Sequence, residues 1–127
     1  SIDFGVYDLV RALCLHLGGR VVEARKVVEE AERQLESEGS PHADYTAELI
    51  AQDLASYYGV IGDASSATRW IEFAFDLSPS GVDTRVLGSS LFEPVRNDPR
   101  FSQAIDEVHS SARERVRNMR TSLDGDL

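Results

Sequence analysis

The chain has 127 residues, of which 22 are acidic and 13 basic, for a formal net charge of −9, and 42% of it is apolar. That length suits one domain, able to bury roughly two-thirds of its unfolded surface, and the Pro and Gly content is too low for a disordered chain. The acidic balance argues against a broad nucleic-acid or anionic-membrane surface, and no apolar run approaches the roughly 18 to 20 residues that membrane insertion needs.

No basic-then-apolar leader opens the sequence, so a cytoplasmic location is expected, an extracytoplasmic tail of a membrane-anchored regulator being the alternative. Ser1 stands where an initiator Met would, which suggests a piece of something longer. A single cysteine, Cys14, excludes an intramolecular disulfide.

The first predicted helix runs from Asp3 to Leu17 and ends at Gly18-Gly19, where glycine can take the left-handed conformation of a C-terminal cap. Ile2, Phe4, Val6, Tyr7, Leu9, Val10, Leu13, Cys14, Leu15 and Leu17 cover most of its circumference, interrupted by Asp8, Arg11 and His16. A helix apolar nearly all round must be covered on more than one side. One cover is the next helix, Arg20 to about Glu38, through the stripe Ala24, Val27, Val28, Ala31 and Leu35. The other is expected to be a preceding unit or a second copy of the chain.

On that second helix Glu23, Glu29, Glu30, Glu32, Glu36 and Glu38 stand among Arg25, Lys26 and Arg33. They read as a solvated outer face with pairs such as Glu29 and Arg33, or as an acidic docking surface. Residues 37–40 form a connector, and Ser40-Pro41 marks the next helix start, Ser as cap and Pro at the first helical position. The third helix carries Ala51, Leu54, Ala55 and Tyr58 on one face and stops at Gly62-Asp63. A fourth follows through Ala67, Ile71, Ala74 and Leu77 and is closed by Pro79. Alanines at the crossing let the two backbones approach, with Leu54, Tyr58 and Ile71 filling the space beside them.

Between residues 79 and 97, Gly81, Gly88, Ser89-Ser90 and Pro94 predict only short helical turns. Asp98-Pro99 then restarts a helix, whose stripe of Phe101, Ile105, Val108, Ala112 and Val116 carries it to about Met119, with residues 121–127 expected to fray. Its other face is polar, as the outermost element of a stack requires. Arg113, Arg115, Arg117 and Arg120 form the one basic concentration, read as cations at a helix C-terminus or as a docking patch for an acidic or phosphorylated partner.

The residues give no chemistry. His16, His42 and His109 share no metal-ligand spacing with Cys14 or with one another, so neither a metal nor a cofactor is expected. The stretch from Gly59 to Ser66 has the glycines of a phosphate cradle but lacks its lysine, and Asp63 would put negative charge where phosphate belongs. Asp63 is expected instead to cap the helix that follows. No nucleophile elbow or zinc-protease motif occurs, and an enzymatic role is not expected.

The set Leu54, Ala55, Tyr58, Gly62, Asp63, Ala67, Ile71, Ala74 and Pro79 resembles the signature of the tetratricopeptide repeat. Ala12, Gly19, Ala24, Val28 and Ala31 place the first hairpin in the same frame, although Arg11 and Leu15 stand where the family has Leu and Tyr. The period, 43 residues from Ala24 to Ala67, is longer than the common 34 of that family. The run from Leu91 to Phe101 looks like the tail that closes repeat arrays at the C-terminus of bacterial signalling proteins, among them serine/threonine kinases and cyclase-like or transcriptional regulators.

The resemblance implies an all-α stack of two helical hairpins, about residues 3–38 and 41–78, closed by a capping helix at 98–119, and a protein-binding or scaffolding role in a larger regulator. The first helix of each hairpin would line the concave side. That gives a partner groove of Val6, Leu9, Leu13 and His16, then Leu49, Gln52, Ser56 and Val60. It is largely apolar and lacks the Lys, Arg and Asn with which family members grip a terminal carboxylate, so an amphipathic helix or apolar segment is the expected occupant. The competing expectations are homo-oligomerisation, as a homodimer through the apolar first helix, and, more remotely, an all-α enzyme or small-ligand-binding domain.

Overall fold

Two helical hairpins, a short irregular stretch and one long helix make up the described residues. The computed structural model describes residues 6–38, 45–77, 82 and 84–125, and every regular element among them is helical. In chain order these are α1 (Val6–Leu17), α2 (Val21–Glu38), α3 (Tyr45–Ile61), α4 (Ala64–Leu77), α5 (Thr84–Leu87), a 3-10 helix (Ser90–Val95) and α6 (Pro99–Gly125). The expected boundaries at Asp3, Ser40-Pro41 and Pro79, together with Ile2, Phe4, His42 and Gly81, lie outside the described residues.

Both hairpin turns use the same backbone device. Gly19 and Gly62 have φ of 86° and 85°, a region open to glycine at little cost. In the first turn the Arg20 N–H donates to the Leu15 carbonyl at 2.8 Å and the Gly19 N–H to the His16 carbonyl at 3.0 Å. In the second, Asp63 N–H reaches the Tyr58 carbonyl at 2.9 Å and Gly62 N–H the Gly59 carbonyl at 3.2 Å. These paired bonds are the Schellman closure of a helix C-terminus. Each turn leads at once into the next helix, as Ala24 N–H bonds the Arg20 carbonyl and Ala67 N–H the Asp63 carbonyl. Asp63 also caps α4 through its side chain, which accepts from the Ser66 N–H at 3.1 Å and the Ser66 hydroxyl at 2.9 Å.

Small residues set how closely the helices pack. Ala51 and Ala55 of α3 and Ala67 and Ala74 of α4 are buried, with Leu54 and Ile71 packed beside them. Ala24, Val28, Ala31 and Leu35 of α2 are buried as the 3.6-residue period requires. Trp70, with no exposed surface, is the largest side chain of the core.

The hairpins are joined by a polar clip. The Glu32 carboxylate of α2 accepts the Tyr58 hydroxyl of α3 at 3.1 Å and the Trp70 Nε1–H of α4 at 3.0 Å. Burial, then the Glu32 charge, lifts the Tyr58 hydroxyl above the ordinary tyrosine range, so it stays a donor. Beside it, the Arg69 guanidinium pairs with Glu36 and lies 4.7 Å above the Trp70 ring. Glu32, half-buried, thus leaves the solvated face expected of α2, whereas Glu36 stays exposed. On that face Arg33 pairs with Glu30, at 2.8 Å, rather than with Glu29.

The irregular stretch folds back onto α3. Phe92 of the 3-10 helix is buried against Gly59 and stacks on Phe101 of α6, with ring centroids 5.3 Å apart. Arg96 donates to the Ser89 carbonyl at 2.6 Å, and Asp98 caps α6 by accepting the Arg100 N–H at 2.9 Å. The helix α6 continues to Gly125, past the expected end at Met119, and residues 121–125 are helical where fraying was expected. Pro99 opens α6, and neither proline nor glycine occurs again before Gly125 to stop it. The buried part of its stripe is Phe101, Ala104 and Val108, with Ile105 partly buried; Val116 is exposed.

Two substitutions test this packing. Glu32→Ala leaves the Trp70 N–H without its acceptor and should cost roughly 1–3 kcal/mol in urea denaturation, with Glu32→Gln intermediate because an amide oxygen still accepts. A Cβ added at Gly59 would lie 2.7 Å from Phe92 Cδ1 and 3.0 Å from the Leu91 carbonyl oxygen. Gly59→Ala should therefore destabilise by roughly 1–3 kcal/mol, and thermal melts of the two chains would show it.

Candidate functional site

The helix α3 presents one face to α4 and another to the space between α1 and the folded-back segment. In that space lies a cleft of about 350 Å³, at the lower end of the roughly 300–1,000 Å³ typical of ligand pockets. Asp53, Ser56, Tyr57 and Val60 of α3 form its floor. Leu9, Val10 and Leu13 of α1 make one wall, and Val86 of α5 with Leu91 of the 3-10 helix make the other.

Of the eight groove positions read from the sequence, Leu9, Leu13, Ser56 and Val60 meet in this cleft. Val6 belongs to α1, but its side chain lies outside the described residues. Leu49 and Gln52 are half-buried and are not among the residues that line the cleft. His16 turns to α3 instead, where its Nδ1 lies 3.4 Å from the Tyr57 hydroxyl and the two rings meet edge to face at 5.9 Å. The groove expected along both hairpins is thus shortened. The 3-10 helix occupies the face of α3 around Gly59 that an open concave surface would leave to a partner.

The polar group that dominates the cleft was missed. Asp53 stands among Leu9, Leu13, Val60, Val86 and Leu91, and burial pushes its carboxyl up to about 6 from the usual 3.8. Among the described residues no cation and no hydrogen-bond donor is paired with it. Ser56 is engaged locally, its hydroxyl donating to the Gln52 carbonyl at 3.1 Å. Burial also raises the Tyr57 hydroxyl above the ordinary tyrosine range, and the Arg25 charge opposes this in part. The signal for Asp53 in the sequence was slight, a carboxylate between Gln52 and Leu54 on a helix face otherwise made of Ser and apolar residues.

The second candidate, the four arginines, is placed differently from expectation. Because α6 runs to Gly125, Arg113, Arg115, Arg117 and Arg120 precede its last turn, which holds no basic residue. The helix dipole acts within that last turn and does not account for them. Arg113 and Arg115 donate to the Ser110 and Ser111 hydroxyls at 3.3 and 3.0 Å, and none of the four pairs with a carboxylate among the described residues. No group of three or more His, Cys, Asp or Glu able to hold a metal occurs among the described residues. No described helix is long and apolar enough to cross a membrane.

Asp53 makes stability depend on pH in a defined window. Its folded pKa lies above its unfolded one, so its contribution is fully present below about pH 3.8 and is lost as pH rises through about 6. Asp98 has the opposite sign. Hydrogen bonds from the backbone of the α6 first turn lower its pKa, so its contribution is lost as pH falls below 3.8. Asp53→Asn should therefore flatten the decline in unfolding free energy between about pH 4 and 6 while leaving the acid limb intact, as urea titrations across that range would show.

No family model matches the chain, and no curated protein or solved structure does either, so the role of the cleft is read from its own shape and chemistry.

Proposed function

We propose that this chain is a non-catalytic protein-binding module built on two tetratricopeptide-type hairpins, and that a partner inserts anchoring side chains into the cleft floored by α3. The observation that carries this reading is an apolar cleft with one half-buried carboxylate at its floor, unpaired among the described residues. Apolar walls reward an apolar segment, and Asp53 rewards one basic residue whose aliphatic stem lies along Leu9 and Val60 while its charge reaches the carboxylate. The recurrence of the glycine turn 43 residues apart supports the repeat assignment. The likeness of the Leu91–Phe101 run to array-closing tails supports reading the module as part of a larger bacterial signalling or regulatory protein.

The experiment is fluorescence anisotropy with a labelled amphipathic peptide carrying a leucine face and one central arginine. Wild-type chain should bind it. Asp53→Asn and a Ser56→Arg variant that fills the cleft should each weaken binding at least fivefold, and replacing the peptide arginine by glutamate should do the same. Equal affinities across that set would overturn the reading.

One observation favours a second reading, assembly through α1. Val10, at the rim of the cleft, is 54% exposed, Leu17 is 69% exposed and Cys14 is exposed, and their spacing of four and three puts them in one row along α1. Leu9, by contrast, is buried in the core, so its replacement would disturb folding rather than report on association. Light scattering of the wild-type chain across a dilution series should give a dimer if this stripe is an interface. Val10→Asp with Leu17→Asp should then return it to 14.0 kDa, the mass of one chain. A monomer at every concentration would exclude self-association.

A further inference from the structure

The second half of α6 leaves the body of the protein. Up to Val108 its apolar residues are buried or, at Ile105, partly buried, with α4 as their main neighbour; beyond, Val116 is 52% exposed and Met119 and Leu123 are each 65% exposed. With the half-buried Ala112, these residues recur at intervals of four, three and four. That is the spacing of a coiled-coil seam, narrower than the stripe by which a helix joins a globular core.

The charges around the seam are ordered. At 100° per residue, Arg115 falls on one flank, Arg113 and Arg120 on the other, and Glu114 on the far side. In heptad terms the three arginines occupy the positions beside the seam that select a partner by charge. As shown above, neither the helix dipole nor an intramolecular carboxylate among the described residues accounts for them.

We propose that this half of α6 docks an acidic amphipathic helix of another protein, whose apolar residues close over Ala112, Val116, Met119 and Leu123 while its carboxylates meet Arg113, Arg115 and Arg120. Self-pairing does not suit these charges. Two parallel copies of α6 would set Arg115 against Arg120, and two antiparallel copies would set Arg115 against itself and Arg113 against Arg120, like against like in both cases. A lipid surface does not suit the seam, because interfacial helices bury a broad apolar face with large side chains. Here the apolar side is a single narrow row, on a chain of net charge −9.

The test uses the whole chain and a labelled three-heptad peptide with leucine at the seam positions and glutamate on both flanks. It should bind by fluorescence anisotropy at low salt and weaken as salt is added. Arg113→Glu, Arg115→Glu and Arg120→Glu together should weaken it at least tenfold, and Val116→Asp with Met119→Asp should abolish it. Arg115 is half-buried and the other substituted side chains are exposed, so circular dichroism should show each variant folded. A matched peptide with lysine on its flanks should bind wild type at least tenfold more weakly and prefer the triple-glutamate variant. Asp53→Asn should leave all of these affinities unchanged, which separates this surface from the cleft. Equal binding of the acidic and basic peptides would overturn the proposal. So would capture by vesicles of phosphatidylcholine and phosphatidylserine without binding of the acidic peptide, or concentration-dependent dimerisation abolished by Met119→Asp.

Discussion

A single carboxylate holds the two hairpins in register. Glu32 accepts one hydrogen bond from each helix of the second hairpin, Tyr58 from α3 and Trp70 from α4. Bonds to a charged acceptor are worth roughly 1.5–3 kcal/mol each and, unlike apolar contacts, have a direction. Alanine-lined crossings such as those of α3 and α4 permit close approach but do little to fix which residue lies opposite which. The clip supplies that, and Arg69, paired with Glu36 and lying over the Trp70 ring, shields its outer side. With α2 placed against α3 and α4, α1 is brought beside α3, and one wall of the cleft follows.

The other wall comes from a stretch with little regular structure of its own. Phe92 seats on Gly59 because that position has no side chain, and its stacking on Phe101 ties the same turn to α6. Val86 and Leu91 then close over the end of α3, and the carboxylate of Asp53 loses much of its water. The property that distinguishes the cleft is therefore made by three segments distant in the chain. Asp53 supplies the group and its surroundings supply the pKa.

What was legible in the sequence follows that division. The helices were legible because the stripe of Ala24, Val28, Ala31 and Leu35, or of Ala67, Ile71 and Ala74, is a local periodic fact, and so were the breaks at Gly19 and Gly62. Within the site, Leu9, Leu13, Ser56 and Val60 were found by placing the two hairpins in one frame. Asp53 was not, because its burial depends on Val86 and Leu91, whose fold carries no period to read. Nor was Glu32, one of several glutamates on α2, since which of them turns inward is settled by the angle at which the hairpins cross. The end of α6 was misjudged for a different reason. Thr121 and Ser122 are modest helix formers, and an established helix runs through modest residues until a true breaker arrives.

The stack of Phe92 on Phe101 has a mechanical consequence. One ring belongs to the turn that walls the cleft, and the other to the first turn of α6, so the two outward-facing surfaces rest on the same pair of rings. Interiors at crystal-like density do not deform smoothly. Were the turn at Leu91 and Phe92 to shift, Phe101 at the base of α6 would have to move or repack with it. At about 1.5 Å per residue that helix is a rod of roughly 40 Å, so a small tilt at its base becomes a displacement of several ångströms at its tip.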